Sequence, residues 1–307
     1  MGADRSIGDG SRILVTGASG PIGAALLPSL RVAGVRVTRM VRGRTAGEDQ
    51  IQWDPETPLA PELVSGFDAV IHLAGESILG RWTTGKKKKI RDSRVKGTRN
   101  LAEALARAAK KPRVLIVGSA SGYYGDRGDE ILREESASGS GFLPEVCREW
   151  EAASQVAEDA GIRTAHSRTG IVLSPKGGAL GEMLTPFRLG AGGRLGSGRQ
   201  WMSWIHVQDM VGALHHILRS ESVRGPVNMV APNAVRNTEF TRVLAEVLSR
   251  PAILPVPAFA LRVLFGEMAD EALLASQRVE PAKLIASGYA FQFAELKPAL
   301  ESLVGKT

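Results

Sequence analysis

The chain has a single cysteine, Cys147, in 307 residues, and only 5% of its side chains are aromatic. One cysteine excludes an internal disulfide, and no cysteine/histidine cluster has the spacing of a structural zinc site, so no metal is expected. Long apolar runs are also missing, which argues against a membrane span. The opening MGADRSIGDGS is polar and glycine-rich and lacks the hydrophobic stretch of a secretory signal. A frayed tail over residues 1–11 and a cytoplasmic location are the expectations. Charge is not scarce: the formal net charge is +7, with 39 Lys/Arg against 32 Asp/Glu. The basic residues are spread along the chain without interleaved stacking aromatics, which sets nucleic-acid binding aside. Their excess suits an anionic cofactor or substrate. The densest run, Lys86 to Lys89, opens a helical pattern through Ile90, Val95, Leu101 and Leu105, and reads as a solvated helix face.

What is present begins at Arg12–Gly23, RILVTGASGPIG. Ile13, Leu14 and Val15 suit a buried parallel strand. Gly17, Gly20 and Gly23 follow in GxxGxxG spacing, and a helical pattern runs from Ile22 to Leu30. Gly17 permits the tight turn, Gly20 lets backbone amides approach a pyrophosphate, and Gly23 lets helix and strand pack closely. Ala18, Ser19, Pro21 and Ile22 complete the turn, whose free N–H groups and dipole end favour phosphate.

Further strands are expected at Val35–Val41, Asp68–Leu73, Arg113–Val117 and Arg163–Ser167, with helices at Lys86–Ala109 and Phe142–Asp159. Such alternation predicts an α/β fold, a Rossmann-type doubly wound parallel sheet with a smaller mixed C-terminal lobe. Residues 12–175, joined by strand and helix over 202–228, would form the dinucleotide-binding part. Residues 176–201 and 229–307 would form a substrate lid, with Gly177–Gly198 loop-rich and Thr238–Leu248 and Pro257–Leu274 helical. Ligands in such sheets lie beyond the carboxyl ends of the strands, which selects Leu73, Ala74, Gly75, Ser119 and Arg168 as further cofactor contacts.

The second strand decides which dinucleotide. An acidic residue there would take a ribose 2′-hydroxyl, whereas an arginine faces the 2′-phosphate of NADP. Here Arg39-Met40-Val41-Arg42-Gly43-Arg44 has no Asp or Glu before Glu48. NADP is expected, with Arg42 as the main clamp and Arg44 in support.

The GxxGxxG turn, DAVIHLAG, RVKGTRNL, SASGYYG and WIHVQDM together resemble the extended short-chain dehydrogenase/reductase superfamily. HLAGESILGRW, FLPEVCREWEAA, GSGRQWMSWIH and the tail Phe259–Leu303 resemble, more narrowly, its atypical epimerase family group with a C-terminal domain of unknown function. The resemblance implies a Ser, Tyr and Lys set in which the phenol handles a proton while hydride moves at the nicotinamide. Counted from Glu151, however, Leu143 occupies the tyrosine position and Cys147 the lysine position, and Arg94 replaces the usual asparagine. Ser119 keeps the serine, with Ser121 as second candidate. Tyr124, Cys147 and Glu76 are the replacement acids or bases, while His206 reads as a hydrogen-bonded core residue. Met202 stands where sugar-nucleotide enzymes often place a phosphate-binding arginine. Arg81, Trp82, Arg188, Arg199 and Trp204 are the alternatives for a small, anionic or ring-bearing substrate. Two readings stay open, an NADP-dependent oxidoreductase or epimerase and a non-catalytic regulator sensing NADP, for example in cell division. The resemblance also implies a helix-pair homodimer.

Overall fold

The computed structural model describes residues 7–43, 45 and 47–305. In chain order the elements begin β1 (Arg12–Thr16), α1 (Pro21–Val32), β2 (Arg36–Val41), β3 (Gln50–Gln52), β4 (Ala69–His72), α2 (Thr84–Arg107), β5 (Val114–Ala120) and β6 (Ile131–Leu132). Then come α3 (Phe142–Ala152), α4 (Gln155–Asp159), β7 (Arg163–Thr169), β8 (Ile171–Leu173), α5 (Gly178–Arg188), β9 (Trp201–Met202), β10 (Trp204–His206) and α6 (Val207–Arg219). The last part holds β11 (Gly225–Met229), β12 (Val235–Arg236), α7 (Asn237–Leu248), α8 (Ala258–Phe265), β13 (Arg278–Val279), α9 (Ala282–Ala286) and α10 (Leu296–Val304).

Seven parallel strands form the main sheet in the order β11-β7-β5-β4-β1-β2-β3. The order reverses between β1 and β4, which opens a crevice at their carboxyl ends. Alternation along β1 explains why helices cover both faces. Ile13 and Val15 join the core with Leu26 and Leu30 of α1 and Leu214 and Ile217 of α6. Leu14 faces the other way, into the core with Leu101 and Leu105 of α2. A third core joins α5, α7 and α10 through Leu184, Phe240, Leu244 and Leu300. Among the described residues no helix is long and apolar enough to cross a membrane, and no acidic/His/Cys cluster could hold a metal.

Several expectations shift. Of the tail expected over 1–11, residues 1–6 lie outside the described residues, while Ile7 is buried in the α1/α6 core and the exposed Gly10 is held by its N–H donating to the Gly34 carbonyl at 3.0 Å. The helix expected over 142–159 divides after Ala152, where the Ser154 hydroxyl donates to the Glu151 carbonyl at 2.9 Å. The stretch 177–198 contains an 11-residue helix, α5, because Leu180, Leu184 and Phe187 line one buried face. The helix expected to reach Leu274 stops at Gly266, whose φ of +62° leaves the helical region, and a π-helical turn at Ala269–Leu273 follows.

Two buried histidines make the fold acid-sensitive. His72 is bonded to the Thr16 hydroxyl at 2.7 Å and the Thr98 hydroxyl at 3.0 Å, and burial lowers its pKa to about 4. Burial also lowers His206 to about 4; its Nδ1 accepts the Gln208 N–H and its ring stacks on Phe293. Unfolded, each ring protonates near 6.5, so the unfolded chain gains protons first as pH falls. Stability is therefore complete above pH 6.5 and declines toward pH 4, by about 3 kcal/mol for His72. Urea unfolding across that window tests this, and a flat profile would contradict it.

Candidate functional site

The crevice between β1 and β4 is held together by its own strand ends. The Ala74 N–H donates to the Thr16 hydroxyl at 3.1 Å, and the same hydroxyl meets His72. Gly17 turns the chain at φ +69°, and a Cβ there would lie 2.6–2.7 Å from the Leu73 and Ala74 backbone. Only glycine fits that turn. Gly20 then sits at the N-cap of α1 with no side-chain cap. Its missing Cβ would meet only the Gly17 carbonyl, at 3.4 Å, so that side stands open. Uncapped first-turn amides beside an open glycine edge fit an anion such as a pyrophosphate.

A cleft of about 490 Å³ extends from this turn. It is lined by the expected Gly17, Ala18, Ser19, Gly20, Arg42, Leu73, Ala74 and Gly75. Pro21, Ile22 and Gly23 stand in the first turn of α1, just behind this lining, and Arg44 lies outside the described residues. Arg39, Trp53, Pro55 and Ser93 also line it, and sequence reasoning missed them. Trp53 and Pro55 follow β3, which at three residues is too short to show a strand pattern. They form a wall because Asn100 Nδ2 holds the Pro55 carbonyl at 2.9 Å and Trp53 packs edge-on against His72. Arg39 pairs with Asp49 at 2.9 Å, while its buried Nε has no hydrogen-bond partner among the described residues. Among the described residues no carboxylate belongs to the lining, whereas Arg39 and Arg42 do.

Beyond Gly75, the chain places Glu76 and Arg94 together. Glu76 pairs with Lys86 at 2.8 Å, and that bond, with Arg42 and Lys89 nearby, lowers its pKa. It stays a carboxylate and cannot serve as a proton donor near neutral pH. Its N–H is fixed by the Ser93 hydroxyl at 2.9 Å, and Arg94 Nη1 donates to its carbonyl at 2.8 Å.

Other expected site residues are committed to the fold. The Ser119 hydroxyl donates to Glu151 at 2.7 Å, and Glu151 grips Arg168 through two bonds of 2.8 and 2.9 Å. Arg168 also donates to the Tyr124 hydroxyl and the Glu134 carbonyl, both at 3.1 Å, and lies on the Tyr123 ring. It is therefore buried in a network between β5 and β7, apart from the residues that line the cleft. Tyr124 is fully buried and bonded to Asn228 at 2.7 Å, and burial pushes its phenol up to about 12. The Cys147 thiol is buried against the Ala120 carbonyl, and burial pushes it up to about 12. Neither exchanges protons near neutral pH. Ser121 bonds to Gln277 at 2.7 Å.

The substrate candidates divide similarly. Trp204 is fully buried, its Nε1 bonded to the Asn233 carbonyl at 3.0 Å. Trp82 is buried against Phe142, its Nε1 on the Ile78 carbonyl, and Arg81 holds the Val263 carbonyl of α8. Arg188 ends α5, and Arg199 lines a separate cavity with Asp129 and Arg236. Neither lines the cleft at Gly17.

Residues 13–230 match the NAD dependent epimerase/dehydratase family. The chain belongs to this family. A domain of unknown function, DUF1731, matches residues 256–303. Within the epimerase/dehydratase family the chain is 41% identical to an epimerase family protein of Mycobacterium tuberculosis over 290 residues, 94% of this chain and 96% of that one. It is similar to the crystal structure of human epimerase family protein SDR39U1 (isoform 2) with NADPH, at 36% identity and a TM-score of 0.88, covering 95% and 99% of the chains. A nucleoside-diphosphate sugar epimerase of Corynebacterium glutamicum matches at 37% identity and a TM-score of 0.80, covering 96% of this chain and 58% of that one. The DUF1731 segment reaches back to the dinucleotide fold: Glu271 accepts the Phe142 and Leu143 N–H groups at 2.8 and 2.7 Å, capping α3.

Proposed function

We infer that the cleft holds NADP(H) and that the chain is an atypical NADP-dependent oxidoreductase or epimerase acting on a small molecule without the usual Tyr/Lys pair. The observation that carries this is the open Gly20 edge at the uncapped start of α1, continuous with a cleft that bears Arg42 and, among the described residues, no carboxylate. The NADPH in the human relative's crystal structure supports the same reading. Gly17 to Gly20 would receive the pyrophosphate, Arg42 the 2′-phosphate, and Trp53 with Pro55 would flank the adenosine half. When bound, the nicotinamide supplies or accepts hydride. The chain contributes position, charge and exclusion of water, since Leu143, Cys147 and Tyr124 do not move protons near neutral pH.

Titration of NADPH and NADH into wild type and Arg42→Ala tests this assignment. Loss of the 2′-phosphate partner is expected to weaken NADPH by about 10- to 100-fold and to leave NADH nearly unchanged. Equal affinity for both cofactors, unmoved by the substitution, would remove it. The engagement of Ser119, Tyr124 and Cys147 in buried bonds favours a second reading, a regulator that binds NADP without turnover. Stopped-flow oxidation of bound NADPH across sugars, aldehydes and quinones separates the two: oxidation by any class supports the enzyme, and none with cofactor tightly bound supports the regulator.

A further inference from the structure

Arg94 carries a charge that finds no ion-pair partner among the described residues. Its Nη1 donates to two carbonyls, Glu76 at 2.8 Å and Ile90 at 3.2 Å. One face of the guanidinium lies over the Trp150 ring at 5.0 Å. Its Cζ lies 3.3 Å from where a Gly75 Cβ would stand, and Gly75 lines the cleft. Among the described residues no carboxylate comes within ion-pair distance of it, whereas the acids nearby are already neutralised. Glu76 is paired with Lys86, and Glu151 is paired with Arg168. The Cys147 thiol remains neutral. A guanidinium keeps its proton at any working pH, so a full positive charge stays behind the cleft floor.

Its place along the sheet says which part of a dinucleotide it would face. The β1-β2-β3 side, with Arg42 and Trp53, takes one nucleotide half, and the β4-β5-β7 side takes the other. Arg94 stands between the end of β4 and Trp150 of α3, on the second side, which in this reading is the nicotinamide half. The oxidised ring carries a positive charge and the reduced ring carries none. A fixed cation shielded from water repels the first and is indifferent to the second.

We propose that Arg94 sets the redox preference of the site, favouring bound NADPH over NADP⁺. This rests on the NADP(H) reading above and adds the residue that discriminates between the two oxidation states. The chain would then stand charged with reduced cofactor, ready to give hydride to an acceptor.

The test measures dissociation constants for NADPH and NADP⁺ by calorimetry on the full chain, in wild type, Arg94→Gln and Arg94→Lys. Wild type is expected to bind NADPH on the order of tenfold more tightly than NADP⁺. That ratio raises the potential of the bound two-electron couple by about 30 mV. Arg94→Gln should bring the ratio to within about twofold, chiefly by tightening NADP⁺, and Arg94→Lys, which keeps the charge, should preserve it. A wild-type ratio near one, a ratio that survives in Arg94→Gln, or one that disappears in Arg94→Lys overturns the proposal. Should Arg94→Gln fail to fold, wild type and Arg94→Lys still decide by the same criteria. Binding of neither form to wild type would overturn the cofactor reading itself and this inference with it. Tight binding of both forms with no preference would overturn the inference alone.

Discussion

Gly17→Ala is expected to raise the dissociation constant for NADPH at least 100-fold and to destabilise the fold by about 2–4 kcal/mol. Two effects combine. At φ +69° an alanine side chain is strained by about 1–2 kcal/mol. Its Cβ would also lie 2.6 Å from the Leu73 carbonyl carbon, a backbone atom with no freedom to swing aside. The Leu73–Ala74 segment would have to move, although the Thr16 hydroxyl holds the Ala74 N–H. Both walls of the cleft would shift together. Gly20→Ala is the informative companion, because the protein itself has room for that Cβ. It should leave the melting temperature nearly unchanged and still weaken NADPH strongly, since the added methyl occupies the phosphate's approach. Calorimetry and thermal melting on both variants check this; unaltered affinity in either would show that the turn does not seat the cofactor.

The second large effect is expected at Glu151. Its carboxylate accepts from Arg168 and Ser119 in a region where the two charged side chains are only 4% and 12% exposed. Glu151→Ala leaves the Arg168 guanidinium buried with no anionic partner, a change that costs about 3–5 kcal/mol. The loss should reach Tyr124 as well, because Arg168 also holds its hydroxyl. Replacing both charges by apolar residues, as Glu151→Leu with Arg168→Met, should recover much of the stability, because the desolvation penalty disappears with the charges. Urea unfolding measures both, and a loss below about 1 kcal/mol in Glu151→Ala would show the pair to be dispensable.

The dinucleotide turn was legible because its requirements are local. Gly17, Gly20 and Gly23 act through φ and through the absence of a Cβ, which spacing alone reveals, and Arg42 follows from the end of β2. The catalytic candidates were not legible in the same way. Tyr124 and Ser119 stand at the carboxyl end of β5, where chemistry is usual, but their hydroxyls turn into a buried network with Glu151, Arg168 and Asn228. Trp204 has the composition of a substrate contact and the surroundings of a core residue. Trp53 and Pro55 carry no local signal because β3 is three residues long and its pairing to β2 is what makes it a strand.

By itself, the sequence determined the Rossmann-type sheet, the glycine turn after β1 and the arginines at the end of the second strand. Backbone strain, hydrophobic alternation and residue charge act over a few neighbouring positions. Only the tertiary structure decided which polar side chains face the cleft and which are spent inside the protein. That outcome depends on partners far apart in sequence, such as Ser119 with Glu151 and Tyr124 with Asn228. It also decided that Arg94 stands beside the cleft with no ion-pair partner among the described residues, since the folded distances alone pair Glu76 with Lys86 and Glu151 with Arg168.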